Sequence, residues 1–347
     1  MESLADRMRA QARQCQRAGS PLTASILDGA ADDLAAGGPT AALLGPLEDD
    51  PAGSVASLRL AGALHRLVLE RRAPALAVHY PSVGGTPGEV WPVAREVIGS
   101  QLDTLRELVA RPVQTNEVGR CSGLLGGLLH VARETGLPVR LLELGASGGL
   151  NLLVDRYAHE VGDAAVLGDA TSPVRLVAAW QGNLPPYDVK LEIVERKGCD
   201  PSPLDPASSA DRLTLTSYVW ADQVDRFERL RAALRVAATH PLRVERLPAA
   251  QFLERELAAP QPGVVTVVWH SVVRQYLDAQ ERARVTALLD AAGGRATRQA
   301  PLAHLALEPE WVGGGSYNFG VVLQTWPGGG PRRLADCEGH GPPFAWR

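Results

Sequence analysis

Apolar residues recur every three or four positions through most of the first 136 residues. The segments 22–36 (LTASILDGAADDLAA), 54–70 (SVASLRLAGALHRLVLE), 93–110 (VAREVIGSQLDTLRELVA) and 117–134 (EVGRCSGLLGGLLHVARE) carry this spacing. Such a period marks helices with one buried face, and the Gly and Pro residues between the segments mark their ends. Nothing here alternates as a strand does. Residues 1–136 are therefore expected to form an all-helical N-terminal domain.

The pattern changes after Pro138. VRLLELG at 139–145 is a short apolar run that meets a glycine-rich turn and then the periodic segment 150–157 (LNLLVDRY), a strand–turn–helix unit. Residues 158–212 are rich in Gly, Pro and Asp, with apolar stretches at 174–180 and 189–195, and read as an insertion holding a strand or two. Three strand–helix pairs follow, at 213–220 (LTLTSYVW) with 225–238, 242–247 with 249–257, and 264–272 (VVTVVWHSV) with 281–292. Successive pairs of this kind predict a parallel sheet covered on both faces. The strand-like runs 301–310 and 319–327, with loops GGGSYN and PGGGPRR and a closing LADCEGHGPPFAW, add a terminal antiparallel hairpin. The expected fold class is α/β: a Rossmann-like, mostly parallel sheet over 137–347, with an insertion at about 158–212.

Composition narrows the function classes. Of 347 residues 45% are apolar and 21% charged, an ordinary globular balance. Lys plus Arg number 35 against 39 Asp plus Glu, scattered along the chain, so there is no basic footprint for nucleic acid. Cys15, Cys121, Cys199 and Cys337 stand far apart without the paired spacing of a zinc knuckle, a redox motif or a disulfide framework, which fits a reducing cytoplasm and predicts no metal. The N-terminal segment is a charged amphipathic helix, and no apolar run reaches the roughly 18 residues a membrane span needs. The expected partner is a small molecule.

The chemistry concentrates in Glu143-Leu-Gly-Ala-Ser-Gly-Gly149, where strand gives way to helix. Backbone N–H groups at such a turn can hold a nucleotide-like ligand. A dinucleotide fingerprint needs glycines at 145, 147 and 150 but meets Gly145, Ser147 and Leu150. A nucleophile elbow G-x-S-x-G fits literally, with Ser147 as nucleophile and His270 or His340 as base. That elbow, however, belongs after several earlier strands, one supplying an oxyanion loop, whereas everything before Val139 reads helical. The third reading is the turn E/D-x-G-x-G-x-G, which Glu143, Gly145 and Gly149 satisfy with Ser147 in place of the middle glycine. A turn that holds no ligand is the plain structural alternative.

On these residues the region resembles the first motif of the class I S-adenosylmethionine-dependent methyltransferases. QTNEVGR at 114–120, LLELGASGGLNLLVDRY at 141–157, GCDPSPLD at 198–205, WHSVVRQYL at 269–277 and HG at 340–341 are in addition similar to a bacterial family known only as a domain of unknown function. The first resemblance implies S-adenosylmethionine as cofactor, with Glu143 supporting its amino-acid end and Gly145, Ala146, Ser147, Gly149 and Asn151 around it. The ribose acid is expected just past the second strand, where Asp222 is favoured and Asp200 is the rival. Adenine is placed near Leu247, Pro248 and Ala249. The fourth strand ends at His270, the candidate catalytic group, able to take a proton from a hydroxyl or amine acceptor.

Gln114, Thr115, Asn116, Glu117 and Arg120 form a dense polar group whose guanidinium fork and amides suit a carboxylate. The plain alternative is a capping or ion-pair network. Tyr80 beside His79, Tyr276, Glu308 and Tyr317 are further acceptor-pocket candidates, and Trp220, Trp269 and Trp326 read as core. The expected function is methyl transfer to a small molecule, such as O-methylation of a small carboxylic acid. A metabolite-binding module of the same fold without catalysis, and a serine hydrolase using Ser147, are the alternatives.

Overall fold

Ser3 accepts the Asp6 N–H at 3.1 Å and starts α1 (Leu4–Arg17), which buries Leu4, Met8, Ala12 and Cys15 on one face. Proline opens α2 (Pro21–Ala35), α3 (Pro39–Leu44) and α5 (Pro74–Ala77), where its missing N–H is not needed. With α4 (Ala56–Leu69), α6 (Trp91–Ser100) and α7 (Leu102–Val109) they enclose a core around Leu27, Leu44, Leu60, Leu64 and Leu67. The structure, a computed structural model, describes residues 2–162, 164–313 and 316–347. It divides into two units, Met1–Thr115 with Ser209–Glu228, and Asn116–Ser208 with Arg229–Arg347. The helical character of the N-terminal region holds, while α8 (Cys121–Thr135) falls in the second unit and a later segment joins the first.

That later segment corrects the reading of 213–220 as a strand. It contains α9 (Ser209–Ser217), followed by the start of α10 (Val224–Thr239). LTLTSYVW alternates apolar and β-branched residues, but Thr214 and Thr216 bond back to the Ala210 and Arg212 carbonyls four residues earlier, as in a helix, and α9 buries Leu215 and Ser217. Asp222 follows in the same unit. Its carboxylate accepts from Ser20 Oγ at 2.5 Å and from the Leu22 N–H at 2.9 Å, so it holds the start of α2 and does not stand at the tip of a strand.

The second unit is built on β1 (Val139–Leu144), buried at every position. After it come β2 (Ala158–Val161), β3 (Ala165–Gly168) and β4 (Arg175–Leu176), a small three-stranded sheet, and the short β5 (Trp180–Gly182). The inserted region also supplies the second large strand, β6 (Ile193–Asp200), which pairs parallel with β1. Then come β7 (Val244–Arg246), α11 (Ala249–Glu256), β8 (Val265–Ser271), α12 (Ala279–Gly293), β9 (Leu302–Gly313), β10 (Ser316–Trp326), β11 (Arg332–Glu338) and β12 (Gly341–Trp346). The nine-stranded sheet runs β5-β12-β11-β10-β9-β8-β1-β6-β7, and β7, β6, β1, β8 and β9 pair parallel. The fold is thus mixed α/β with a large, mostly parallel sheet. The antiparallel end is wider than a hairpin, because LADCE and GPPFAW are strands rather than a tail, and Ser316–Asn318 of the expected loop already belong to β10. Gly314 and Gly315 of that loop lie outside the described residues.

α8 covers one face closely. A Cβ on Gly123, Gly126 or Gly127 would meet Phe344, Trp346 or Leu305 within 2.5 Å, which explains the SGLLGGLL run. α11 and α12 pack on the other face against Leu142, Leu144, Val268 and Leu302. Among the described residues no helix is long and apolar enough to cross a membrane.

Candidate functional site

The strand order reverses at β1. The chain steps outward to β6 and β7, then returns to β8 on the other side. In open α/β sheets the crevice at such a switch point, beyond the carboxyl ends of the strands, is where ligands bind. The glycine turn sits there. Gly145, Ser147 and Gly149 have φ of +66°, +52° and +72°, so the turn needs left-handed backbone at three alternate positions, and Ser147 adopts a conformation that glycine takes more easily.

Three neighbours hold this turn. The Ala146 N–H donates to the Cys199 carbonyl at 3.0 Å, and the Ser147 N–H to Asp200 Oδ2 at 3.0 Å. Asp200 Oδ1 takes the Ser202 N–H at 2.8 Å, so the carboxylate clamps the turn to the tip of β6 while each oxygen keeps a second lone pair. Asn116 Oδ1 accepts the Leu150 N–H at 2.9 Å, capping the 3-10 segment Leu150–Arg156 that stands where a helix was expected. A Cβ on Gly145 would strike Val273 Cγ2 at 2.6 Å, and one on Gly149 would come within 3.0 Å of Val244. The turn glycines are therefore required first by packing against β7 and the segment after β8.

Glu143 faces the α8 side, beside Gly198 of β6 and Trp269 of β8. It is 2% exposed, and neither its Oε2 nor Trp269 Nε1 has a hydrogen-bond partner among the described residues. Burial pushes the Glu143 carboxyl up to about 8. The Asn151 amide and the nearby indole pull the other way, Asp200 adds to the rise, and the more distant Arg120 charge opposes it. Asn151 accepts the Cys121 thiol at 3.1 Å, which fixes its amide next to this carboxyl.

The polar group before α8 divides between roles. Glu117 Oε1 accepts the Gly119 N–H at 2.9 Å and lies 3.6 Å from Arg229, so it caps the 3-10 turn Val118–Arg120. Arg120 donates Nε and Nη2 to the Gly339 carbonyl at 3.1 and 2.9 Å, and Nη1 to the Ser271 carbonyl at 3.3 Å. Its fork ties the β11–β12 turn and the end of β8 to the start of α8 and does not stand open to a carboxylate. The closing His-Gly lies against the same turn. Gly341 has φ +99°, and a Cβ there would sit 2.8 Å from the Gly119 carbonyl carbon. Gly341→Ala is expected to lower stability by about 2–3 kcal/mol through backbone strain and overpacking. Gly136→Ala, at φ +65° with nothing within 4 Å of the new Cβ, should cost only about 1 kcal/mol, and parallel thermal melts would compare the two.

His270 behaves differently from the expectation. It shares the α11–α12 face with Val268, opposite to Glu143 and Trp269, and both ring nitrogens are occupied, Nδ1 by Glu308 Oε1 at 2.6 Å and Nε2 by His304 Nε2 at 2.9 Å. No nitrogen is left to meet an acceptor or to activate Ser147. The structure brings Glu143, Gly145, Ala146, Ser147, Gly149, Asn151, Asn116, Arg120 and Asp200 to one edge, with Leu247 and Ala249 just past β7 next to β6. Gln114 and Tyr80 belong to the first unit, where the buried Tyr80 ring lies 5.5 Å from His65. Tyr276 and Tyr317 are 45% and 47% exposed. His304 escaped the sequence reading. Its four-residue spacing from Glu308 on a strand, which puts both on one face, was the signal.

Among the described residues no group of three or more His, Cys, Asp or Glu side chains is placed to hold a metal ion. The second unit thus defines an α/β protein whose glycine turn, Asn116, Asn151 and Asp200 converge at one strand edge around a buried carboxyl, one oxygen of which has no partner among the described residues. A family model described as an uncharacterized protein conserved in bacteria, DUF2332, matches residues 5–346, and the chain belongs to that family. No curated protein and no solved structure matches it.

Proposed function

We propose that the second unit binds S-adenosylmethionine at the glycine turn and transfers its methyl group to a small molecule. The observation that supports this most is Glu143, a buried carboxyl with a free oxygen at the tip of the first strand, above a turn of three left-handed residues and beside an acid that ends the second strand. Parallel strands in the order third-second-first-fourth-fifth, followed by an antiparallel strand, agree with the methyltransferase resemblance.

These residues fit such a cofactor. Glu143 would take its ammonium group, Asp200 the ribose hydroxyls through the lone pairs left over from Ser147 and Ser202, and Leu247 with Ala249 the adenine. When bound, S-adenosylmethionine supplies a methyl group made electrophilic by the attached sulfonium. The chain's own work is to bind, orient and exclude water. Val273, packed over Gly145, closes the turn on one side. Asp200 supports this reading in place of Asp222, and the acceptor is described only as a small molecule, because the Arg120 fork that suggested a carboxylate is held by main-chain carbonyls.

S-adenosylmethionine and S-adenosylhomocysteine are expected to bind with micromolar Kd, NAD not to bind, and Glu143→Gln to weaken binding by about tenfold or more. The sign of the pH dependence follows from Glu143. The free carboxyl sits near 8, and an ammonium needs it ionised, so affinity should rise with pH to about 8 and one proton should leave per ligand bound at pH 7. Calorimetric titrations in buffers of different ionisation enthalpy measure both quantities. No heat with either compound at millimolar concentration would remove this reading.

A further inference from the structure

The residues that deprive His270 of a free nitrogen form a chain of their own. Glu308 Oε1 accepts the Val273 N–H at 2.9 Å and the more distant Arg274 N–H at 3.3 Å, besides His270 Nδ1. This is enforced by the backbone: Val272 has φ +55°, a conformation β-branched residues rarely take, and it turns the following N–H groups onto the carboxylate. Glu308 Oε2, buried, has no partner among the described residues. At the other end His304 is only partly buried, and its Nδ1 has no partner among the described residues and is not sealed from solvent.

These contacts dictate where the protons are. As a carboxylate Glu308 only accepts, so His270 carries its proton on Nδ1 and in the neutral ring offers a lone pair at Nε2. His304 must then donate from Nε2, which leaves its Nδ1 as an outward-facing acceptor. Every donor in the chain points inward, from solvent toward Glu308.

We infer that His304, His270 and Glu308 form a proton relay that joins solvent to the free Oε2 of Glu308, which exchanges that proton with a hydroxyl, amine or carbonyl group of a molecule bound at the strand tips. The transfer balances. A solvent proton binds His304 Nδ1, the His304 Nε2 proton passes to His270 Nε2, the His270 Nδ1 proton passes to Glu308 Oε1, and rotation of the neutral carboxyl carries that proton to the position of the free oxygen. Both rings then carry the opposite tautomer, and the same steps reversed return the proton to solvent. Burial, with the charge of Arg274 and that of His270 whenever it is protonated, pulls His304 down to about 3, so the outer ring passes a proton on rather than storing it. Arg274, Arg120 and Tyr276 are the other ionisable groups near the chain, and Gln324 of β10 lies beside His304 in register. The relay goes beyond the methyl-transfer reading and does not rest on it, since nothing in the chain depends on what the glycine turn holds.

Histidine side-chain nitrogen spectra of the full-length, nitrogen-15-labelled protein test it. At pH 7 the expected pattern is neutral His270 protonated on Nδ1 and neutral His304 protonated on Nε2. Exchange of the His270 Nδ1 proton with water should slow by about tenfold or more in His304→Gln, whose amide still donates to His270 but offers no second nitrogen to solvent. A purely structural network predicts the same exchange rate in both proteins, and that result would overturn the relay. The tautomers of the unmutated protein give an independent answer if the variant does not fold, because a His304 protonated on Nδ1 reverses the chain's polarity and also refutes it.

Discussion

Between pH 5 and pH 8 the ligand-free protein is expected to lose as much as about 4 kcal/mol of stability, and Glu143→Gln to remove most of that loss. Glu143 has an ordinary value of 4.5 when unfolded, while burial raises it to about 8 in the fold. Between those values the folded chain holds a proton that the unfolded chain has released. Stability is therefore full below about 4.5 and falls as pH rises through the window. Glutamine keeps the shape and stays neutral, so it should abolish the linkage while leaving other pH effects in place. Urea unfolding of both proteins at pH 5, 6.5 and 8 gives the comparison. Parallel stability curves would mean that the carboxyl is ionised in its pocket and that its free oxygen meets water. The same burial makes the site receptive, because a cationic ligand lets Glu143 ionise without an unpaired charge.

Glu256→Ala is expected to cost about 3–5 kcal/mol, the loss typical of leaving a buried charge without its partner. Arg140 on β1 is 2% exposed and pairs with Glu256 on α11, to whose carbonyl it also donates at 3.1 Å. Lys197 at 3.1 Å and Arg255 at 2.7 Å reach the same carboxylate. Burial alone would raise Glu256, but the hydrogen bonds of Arg255 and Lys197 and the charges of Lys197 and Arg140 win and hold it below its usual value. Removing its carboxylate leaves Arg140 the main-chain carbonyl of residue 256 and, as acidic partner among the described residues, Glu195 at 2.8 Å and one third exposed. The paired change Arg140→Met with Glu256→Leu should recover most of the loss by replacing the ion pair with apolar packing. Denaturant midpoints of the single and double variants decide this. A single-variant loss below about 1 kcal/mol would show that Glu195 and solvent compensate Arg140.

The strand before the glycine turn, the pairs β7–α11 and β8–α12, and the helices of the first unit were legible because each buries one face of a regular element, and burial writes a period into the sequence. LTLTSYVW misled for the same reason in reverse. Its alternation suits a strand, while in the fold Thr214 and Thr216 close onto carbonyls four residues back and the segment is a helix. The consequence reached the site, since β6 then had to come from the inserted region and Asp200, not Asp222, ends the second strand.

By itself the sequence determined the α/β class, the helical N-terminal region and the place of the turn at Glu143–Gly149, all matters of local period and local backbone preference. The tertiary structure decided what each polar side chain meets. Asp222 takes Ser20 from 202 positions away, Arg120 takes Gly339 from 219, Ser147 takes Asp200 from 53, and His270 takes Glu308 from 38. A buried polar group must find a partner, but nothing in its own stretch of chain names that partner, because any strand edge or turn that folding brings within about 3 Å satisfies it equally well. Glu143 is the informative exception. Its period placed it inside, and only the assembled strands show that one of its oxygens was left without a partner.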